Sequence, residues 1–202
     1  MKYSDITKLK HLAQDKTSRS ANPAVVRNST VFFKNMQELI KQENLVKKGS
    51  KVDFYEYGRA GSQTTIALQN FISDLEGAHR TFLTSTGFGA VALAILSMCR
   101  PKDEIIVTDA VYAPTRMITS KLLKEFNVKT HFYNPESLES LQNKINKKTK
   151  MIFVENPGSN TFEFQDLSKI IKIAKKRKII TAIDNTWGTP FFIKPLKIGF
   201  DM

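Results

Sequence analysis

From Gly61 onward, short apolar runs rich in β-branched residues alternate with stretches whose apolar positions recur at helical spacing. The runs at 81–84, 104–108, 128–133, 150–155 and 179–184 have the length of strands, and their largely continuous apolarity suits strands covered on both faces. Between them the spacing predicts three amphipathic helices. Residues 65–75 put Ala67, Phe71, Ile72 and Leu75 on one face, residues 114–126 do the same with Ile118, Leu122, Leu123 and Phe126, and residues 166–176 with Leu167, Ile170, Ile171 and Ala174. This alternation of strand and helix patterns predicts an α/β fold with a mostly parallel sheet.

Residues 1–60 lack this pattern. They carry one amphipathic stretch near 32–40 and polar punctuation at Asn22, Pro23, Gly49 and Ser50, and so read as an arm preceding the domain at 61–202. At 202 residues and 41% hydrophobic content the chain can bury a real core, which excludes disorder. Its single cysteine, Cys99, follows the apolar run 90–98, where a buried structural thiol is the expected reading rather than a nucleophile. One cysteine excludes disulfides within the chain and cysteine-based metal sites, and no metal ligands are expected. The first residues lack the apolar core of about 7–15 residues that marks a signal peptide, and no stretch nears the roughly 18 apolar residues of a membrane span. The expectation is a cytoplasmic protein without a membrane partner.

The net charge of +12 raises the possibility of a nucleic-acid partner. The lysines of 41–51, 121–129, 144–150 and 169–178 fall mostly on the polar sides of predicted helices, without interleaved aromatics, so they read as solvated faces and no nucleic-acid partner is expected.

In an open parallel sheet, ligands bind where the strands end and the strand-to-helix loops gather. That rule selects four loops. Ser85-Thr86-Gly87-Phe88-Gly89-Ala90 opens an apolar helix with small residues, which suits either backbone amides converging on a phosphate or a plain helix cap with close packing. Asp109 to Pro114 brings Tyr112 to the same rim, either as packing or as a ring stacked on a planar ligand with a phenol available for proton transfer. Glu155-Asn156-Pro157-Gly158-Ser159-Asn160 is the third. Asp184 ends the last apolar strand, where a partly buried carboxylate needs a partner. A neighbouring loop would serve, and so would the cationic ring nitrogen of a cofactor.

Taken together, these loops resemble the pyridoxal-phosphate site of the Cys/Met-metabolism enzyme family, in the right order and over nearly the whole chain. The resemblance implies the three-layer, aspartate-aminotransferase-like fold (fold type I) and pyridoxal 5'-phosphate as cofactor. It implies that the segment Thr86-Gly87-Phe88 holds the phosphate through its amides, with Phe88 where methionine is common. It further implies that Tyr112 stacks on the ring and takes part in proton transfer, that Asp184 of Asp-Asn-Thr pairs with the ring nitrogen, and that Ser159 lies near the phenolic oxygen. Tyr57-Gly58-Arg59 resembles the family's Tyr-x-Arg, whose side chains reach the phosphate of a neighbouring subunit, so a homodimer or homotetramer is implied. Trp187 after Asp-Asn-Thr, Glu155-Asn156-Pro157-Gly158-Ser159, and Gly58 lean toward the cystathionine β-lyase branch rather than the γ-synthase and γ-lyase branch.

Members of the family continue past the segment matching Phe200-Asp201-Met202 into a strand ending in a Ser/Thr-x-x-Lys-like element. That lysine carries the cofactor, and a carboxyl-terminal domain supplies an arginine for the substrate carboxylate. Neither lies within these 202 residues. The resemblance therefore implies an amino-terminal portion, inactive alone, of a lyase that converts cystathionine to homocysteine, pyruvate and ammonia in methionine biosynthesis. A non-catalytic truncated remnant and a γ-lyase or γ-synthase are the other readings.

Overall fold

The computed structural model describes residues 4, 6–7, 22–50 and 52–202. The remaining parts of the expected arm, including residues 8–21 and Lys51, lie outside the described residues. The chain divides into two compact units after Leu83.

In the first unit, α1 (Met36–Lys47) starts at Asn35, whose side chain accepts from the Glu38 amide at 2.9 Å, while the Glu38 carboxylate accepts from the Lys34 amide at 2.8 Å. The second helix, α2 (Gln63–Glu76), begins with a capping box in which Ser62 and Thr65 satisfy each other's amides. It stops at Gly77, whose φ of 71° is left-handed. The run 81–84, read as a strand, forms none: no described strand pairs with it, and Phe82 is 68% exposed. A strand is a relation between segments, and apolar residues alone do not supply the partner ladder.

The second unit is a four-stranded parallel sheet in the order β2-β1-β3-β4, made of β1 (Glu104–Thr108), β2 (Lys129–Tyr133), β3 (Thr149–Glu155) and β4 (Ile180–Asp184). All three pairings are parallel, and Glu155 stands beside Asp184 in register. Side chains of one strand alternate between two cores, as a sheet covered on both faces requires. Ile105 and Val107 join Val91, Ile95, Ile118, Leu123, Met151 and Phe153 on one face, whereas Ile106 joins Tyr133, Leu141, Ile152, Val154, Ile170, Ile171 and Ala174 on the other. The first face is covered by α3 (Gly87–Met98) and by the helical segment that follows β1, the second by α6 (Leu138–Gln142) and α7 (Leu167–Arg177). Cys99 is buried in the first core, and burial pushes its thiol up to about 11, so it is a packed apolar group and not a thiolate nucleophile at neutral pH.

The stripe read for 166–176 is the one buried: Asp166 caps α7, and Leu167, Ile170, Ile171 and Ala174 face the sheet. The stripe read for 114–126 is shifted. That segment is α4 (Ala113–Met117), a π-helical turn at Ile118–Leu122 and α5 (Leu123–Glu125), and it buries Thr115, Ile118, Thr119 and Leu123. Leu122 and Phe126 are 40% and 53% exposed. The wider turn adds residues without adding a turn, which rotates the later positions off the sheet.

β4 bears a nascent ladder on its outer side, where the Met202 amide donates to the Thr181 carbonyl at 3.1 Å and the Ile183 amide donates to the Met202 carbonyl at 3.0 Å. At the opposite, amino-terminal end of the strands, the Glu104 carboxylate accepts from Asn146 Nδ2 at 2.7 Å and meets His131 Nε2 at 2.6 Å. These bonds, Asn146 foremost, hold Glu104 below the usual carboxylate range. A depressed folded value contributes stability that is present above the unfolded value and lost as pH falls through the folded one. Glu104→Gln is therefore expected to lower the thermal midpoint by about 2–4 °C near neutral pH, roughly what 1 kcal/mol moves in a chain of this size. Melting curves across pH should show that gap closing on the acid side, and a gap of constant width would contradict the assignment.

Candidate active site

The chain reverses its direction of sheet growth between β1 and β3, since β2 lies on one side of β1 and β3 and β4 on the other. The loops leaving the carboxyl ends of those two strands part at this point, and the crevice between them is the expected ligand position. A cavity of about 730 Å³ lies there. Thr86, Gly87, Phe88, Tyr112, Glu155, Ser159, Asp184 and Trp187 are among its lining residues. The five site residues expected in this unit, Gly87, Phe88, Tyr112, Ser159 and Asp184, are thus brought together.

Each is fixed by its own loop. Thr86 caps α3 by accepting from the Gly89 amide at 2.9 Å, and the Ala90 amide donates to the Thr86 carbonyl at 3.1 Å. The first-turn amides of Gly87 and Phe88 are left without an intrahelical acceptor, as at any helix start. Nothing lies within 4 Å of where a Cβ on Gly87 would be, so the backbone there is open to a ligand. An anion would find two donors and the positive helix end.

Asp184 is held by Thr186, whose amide and hydroxyl both donate to Oδ1, at 3.0 and 2.6 Å. This clamp orients the carboxylate and leaves Oδ2 outside the turn. Tyr112 leads into α4, with half of its surface exposed and its amide donating to Glu155 Oε2 at 2.7 Å. The Ser159 hydroxyl donates to Glu155 Oε1, and its amide donates to the Ala110 carbonyl at 2.8 Å. Gly158 makes this approach possible, because a Cβ there would sit 2.6 Å from the Ala110 Cβ and 3.2 Å from its carbonyl oxygen.

Two lining features escaped the sequence reading. Phe162 stands edge-on to Trp187 with ring centroids 5.2 Å apart, and its φ of +60° is unusual for a bulky residue. Nothing in the spacing signals that turn. Glu155 is 3% exposed and carries a hydrogen bond from each of two loops. Its signal was available: like Asp184, it is a carboxylate closing an apolar strand. Burial first, and then the charge of Asp184, raise its pKa, against the lowering effect of the bonds from Ser159 and Tyr112.

Tyr57 and Arg59 belong to the first unit, where the guanidinium lies over the tyrosine ring at 5.3 Å and Tyr57 forms an isolated bridge with Thr30. Gly58 is required there by packing: a Cβ would come within 1.8 Å of the Asn28 carbonyl oxygen. The glycine thus has a local steric cause.

Comparison with known proteins bears on this geometry. Proteins provisionally named cystathionine beta-lyase are similar to this chain in Saccharomyces cerevisiae, at 36% identity over 93% of this chain and 52% of the relative, and in Rhizobium johnstonii, at 36% over 97% and 48%. Some relatives at 30–31% carry other names, among them a cystathionine gamma-lyase of Bacillus subtilis, a probable cystathionine gamma-synthase of Arabidopsis thaliana and an L-alanine/L-glutamate racemase of Wolbachia pipientis. A provisionally named O-acetylhomoserine (thiol)-lyase of Campylobacter jejuni, solved with a pyridoxyl-lysine monophosphate, superposes with a TM-score of 0.89 at 27% identity, over 99% of this chain and 48% of that one. The chain spans about half the length of the curated relatives it matches. No helix among the described residues is long and apolar enough to cross a membrane. The family profile matches residues 7–202, and the chain belongs to the Cys/Met metabolism PLP-dependent enzymes, with the fold type I architecture and pyridoxal phosphate as the family's cofactor.

Proposed function

We propose that this chain is the cofactor-binding portion of a carbon–sulfur β-lyase that cleaves cystathionine, with one water, to homocysteine, pyruvate and ammonia, in the cytoplasm and in the service of methionine biosynthesis. The carrying observation is that a clamped carboxylate at Asp184 and the open amides of Gly87 and Phe88 line one cavity. The residues present fit the cofactor's chemistry. Helix-start amides suit a phosphate, a carboxylate suits a protonated ring nitrogen, and the half-exposed Tyr112 ring suits a flat heterocycle.

When bound, the cofactor supplies an electron sink for the carbanion left by removal of a substrate proton. The chain's own residues do the rest. Asp184 would face the ring nitrogen and favour its protonated form, which the electron sink requires. The amides of Gly87 and Phe88 would hold the phosphate end. Tyr112 would lie against the ring and offers its phenol for proton transfer, and the Phe162–Trp187 pair adds apolar surface to the cavity lining. Tyr57 and Arg59 are proposed to reach the phosphate of a neighbouring subunit from the arm at 1–60, which makes the assembly a homodimer or homotetramer. The β-lyase assignment within the family rests on the Trp187 and Glu155–Ser159 motifs.

Trp187 is the chain's only tryptophan and lines the cavity, so its emission reports occupancy. Pyridoxine phosphate, which lacks the aldehyde that would modify surface lysines, is expected to quench it saturably. Failure to quench would sink the cofactor site. For the reaction, the chain is co-expressed with a polypeptide corresponding to the second half of the yeast relative and given cystathionine. Pyruvate with homocysteine supports the β-lyase, and 2-oxobutyrate with cysteine assigns the γ branch.

A further inference from the structure

The buried carboxyl of Glu155 is not used by the mechanism above. It sits at the carboxyl end of β3, beside Asp184 of β4, and is 3% exposed. Its two oxygens are committed to two different loops: Oε2 accepts the Tyr112 amide at 2.7 Å, and Oε1 takes the Ser159 hydroxyl. Those two loops leave the strands on either side of the switch in sheet order, so nothing in the local chain ties them together. A second tie runs from the Ser159 amide to the Ala110 carbonyl at 2.8 Å, and the missing side chain of Gly158 lets the loops meet.

We infer that Glu155 is a positioning residue for the cofactor cavity: its carboxyl is the tether that sets where the Tyr112 ring stands and which way the Ser159 hydroxyl points. The inference rests on the cofactor reading of the cavity. A buried, unpaired carboxylate is costly. The groups that act on Glu155 are Asp184 on β4, Tyr112 in the loop after β1 and Ser159 in its own loop, and none of them is cationic. Both oxygens act as acceptors, Oε2 from the Tyr112 amide and Oε1 from the Ser159 hydroxyl, and these two bonds offset part of the cost of burial. A glutamine keeps both ties: its carbonyl accepts from the Tyr112 amide and its own amide donates to Ser159 Oγ. Methionine fills the same volume without either bond, and an apolar group of like size in a buried charged position is often well tolerated by the fold.

The experiment compares wild type, Glu155→Gln and Glu155→Met by pyridoxine phosphate titration. The readouts are Trp187 emission for affinity and the induced circular dichroism of the bound ligand for ring placement. Far-ultraviolet dichroism checks folding in each. Glutamine is expected to bind within about twofold of wild type and to keep the induced band. Methionine is expected to bind about tenfold or more weakly and to lose the band, since two hydrogen bonds that position the site are gone. A methionine variant with wild-type affinity and band overturns the assignment, as does a glutamine variant that loses both. Should the methionine variant fail to fold, the wild-type chain alone decides by amide exchange: a Tyr112 amide protected like those of the strands supports the tether, and one exchanging at the rate of an open loop overturns it. If wild type binds no pyridoxine phosphate, the cofactor site fails, and the Tyr112 amide still tests the tether independently.

Discussion

Asp184→Asn is expected to weaken pyridoxine phosphate binding about tenfold to a hundredfold while leaving the melting temperature near that of wild type. The substitution keeps an oxygen for the Thr186 amide and hydroxyl, so the turn that orients the side chain survives. On the proposed placement of the cofactor, what disappears is the negative charge that would face a protonated ring nitrogen, and hydrogen bonds to charged groups contribute roughly 1.5–3 kcal/mol, against about 1 for neutral pairs. Each 1.4 kcal/mol or so is a factor of ten. Titration of Trp187 emission gives the affinities directly. The ligand's response to pH is a second readout: with the carboxylate present, binding should favour the nitrogen-protonated form, and in the amide variant that preference should vanish. Equal affinity and equal pH response in the two proteins would remove the electrostatic basis of the site.

Ile106→Ala is expected to cost about 2–5 kcal/mol of folding stability, the largest effect of any single side chain considered. Ile106 lies at the middle of β1, which is flanked by β2 and β3, and its side chain is fully buried against Ile152, Tyr133 and the α7 face. Truncation leaves a void that strands paired on both sides cannot close by moving. Denaturant unfolding should show a lower midpoint at an unchanged slope. Phe192→Ala is the matched control, because Phe192 is 85% exposed and its loss should change stability by no more than about 0.5 kcal/mol. A control as damaging as the core change would mean that the exposed ring is packed in solution.

Much of the fold was legible because its signals are local. The runs at 104–108, 128–133, 150–155 and 179–184 read as strands from largely continuous apolarity, and each lies within a residue of an observed strand; α7 was legible from its apolar stripe. The grouping of Tyr112, Ser159 and Asp184 around one cavity followed from a topological rule applied to loops at strand ends, whereas Gly87 and Phe88 join it from a loop that follows no strand. Where the reading failed, the cause was non-local. The run 81–84 had strand composition but no ladder partner, and Leu122 and Phe126 lost their burial to a π-helical turn that no residue pattern announces. Phe162 reached the cavity wall only through a left-handed backbone in its own loop.

The sequence by itself determined the period of the four strands and of α7, the caps that start α2, α3 and α7, and the identity of the residues carried to the sheet's rim, because these depend on neighbours within a few positions along the chain. Only the tertiary structure decided that Glu155 joins the Tyr112 and Ser159 loops, and that Gly158 is glycine so that Ala110 can approach. Those facts depend on which strand ends stand side by side, and the order β2-β1-β3-β4 is set by the packing of the whole sheet rather than by any one stretch of residues.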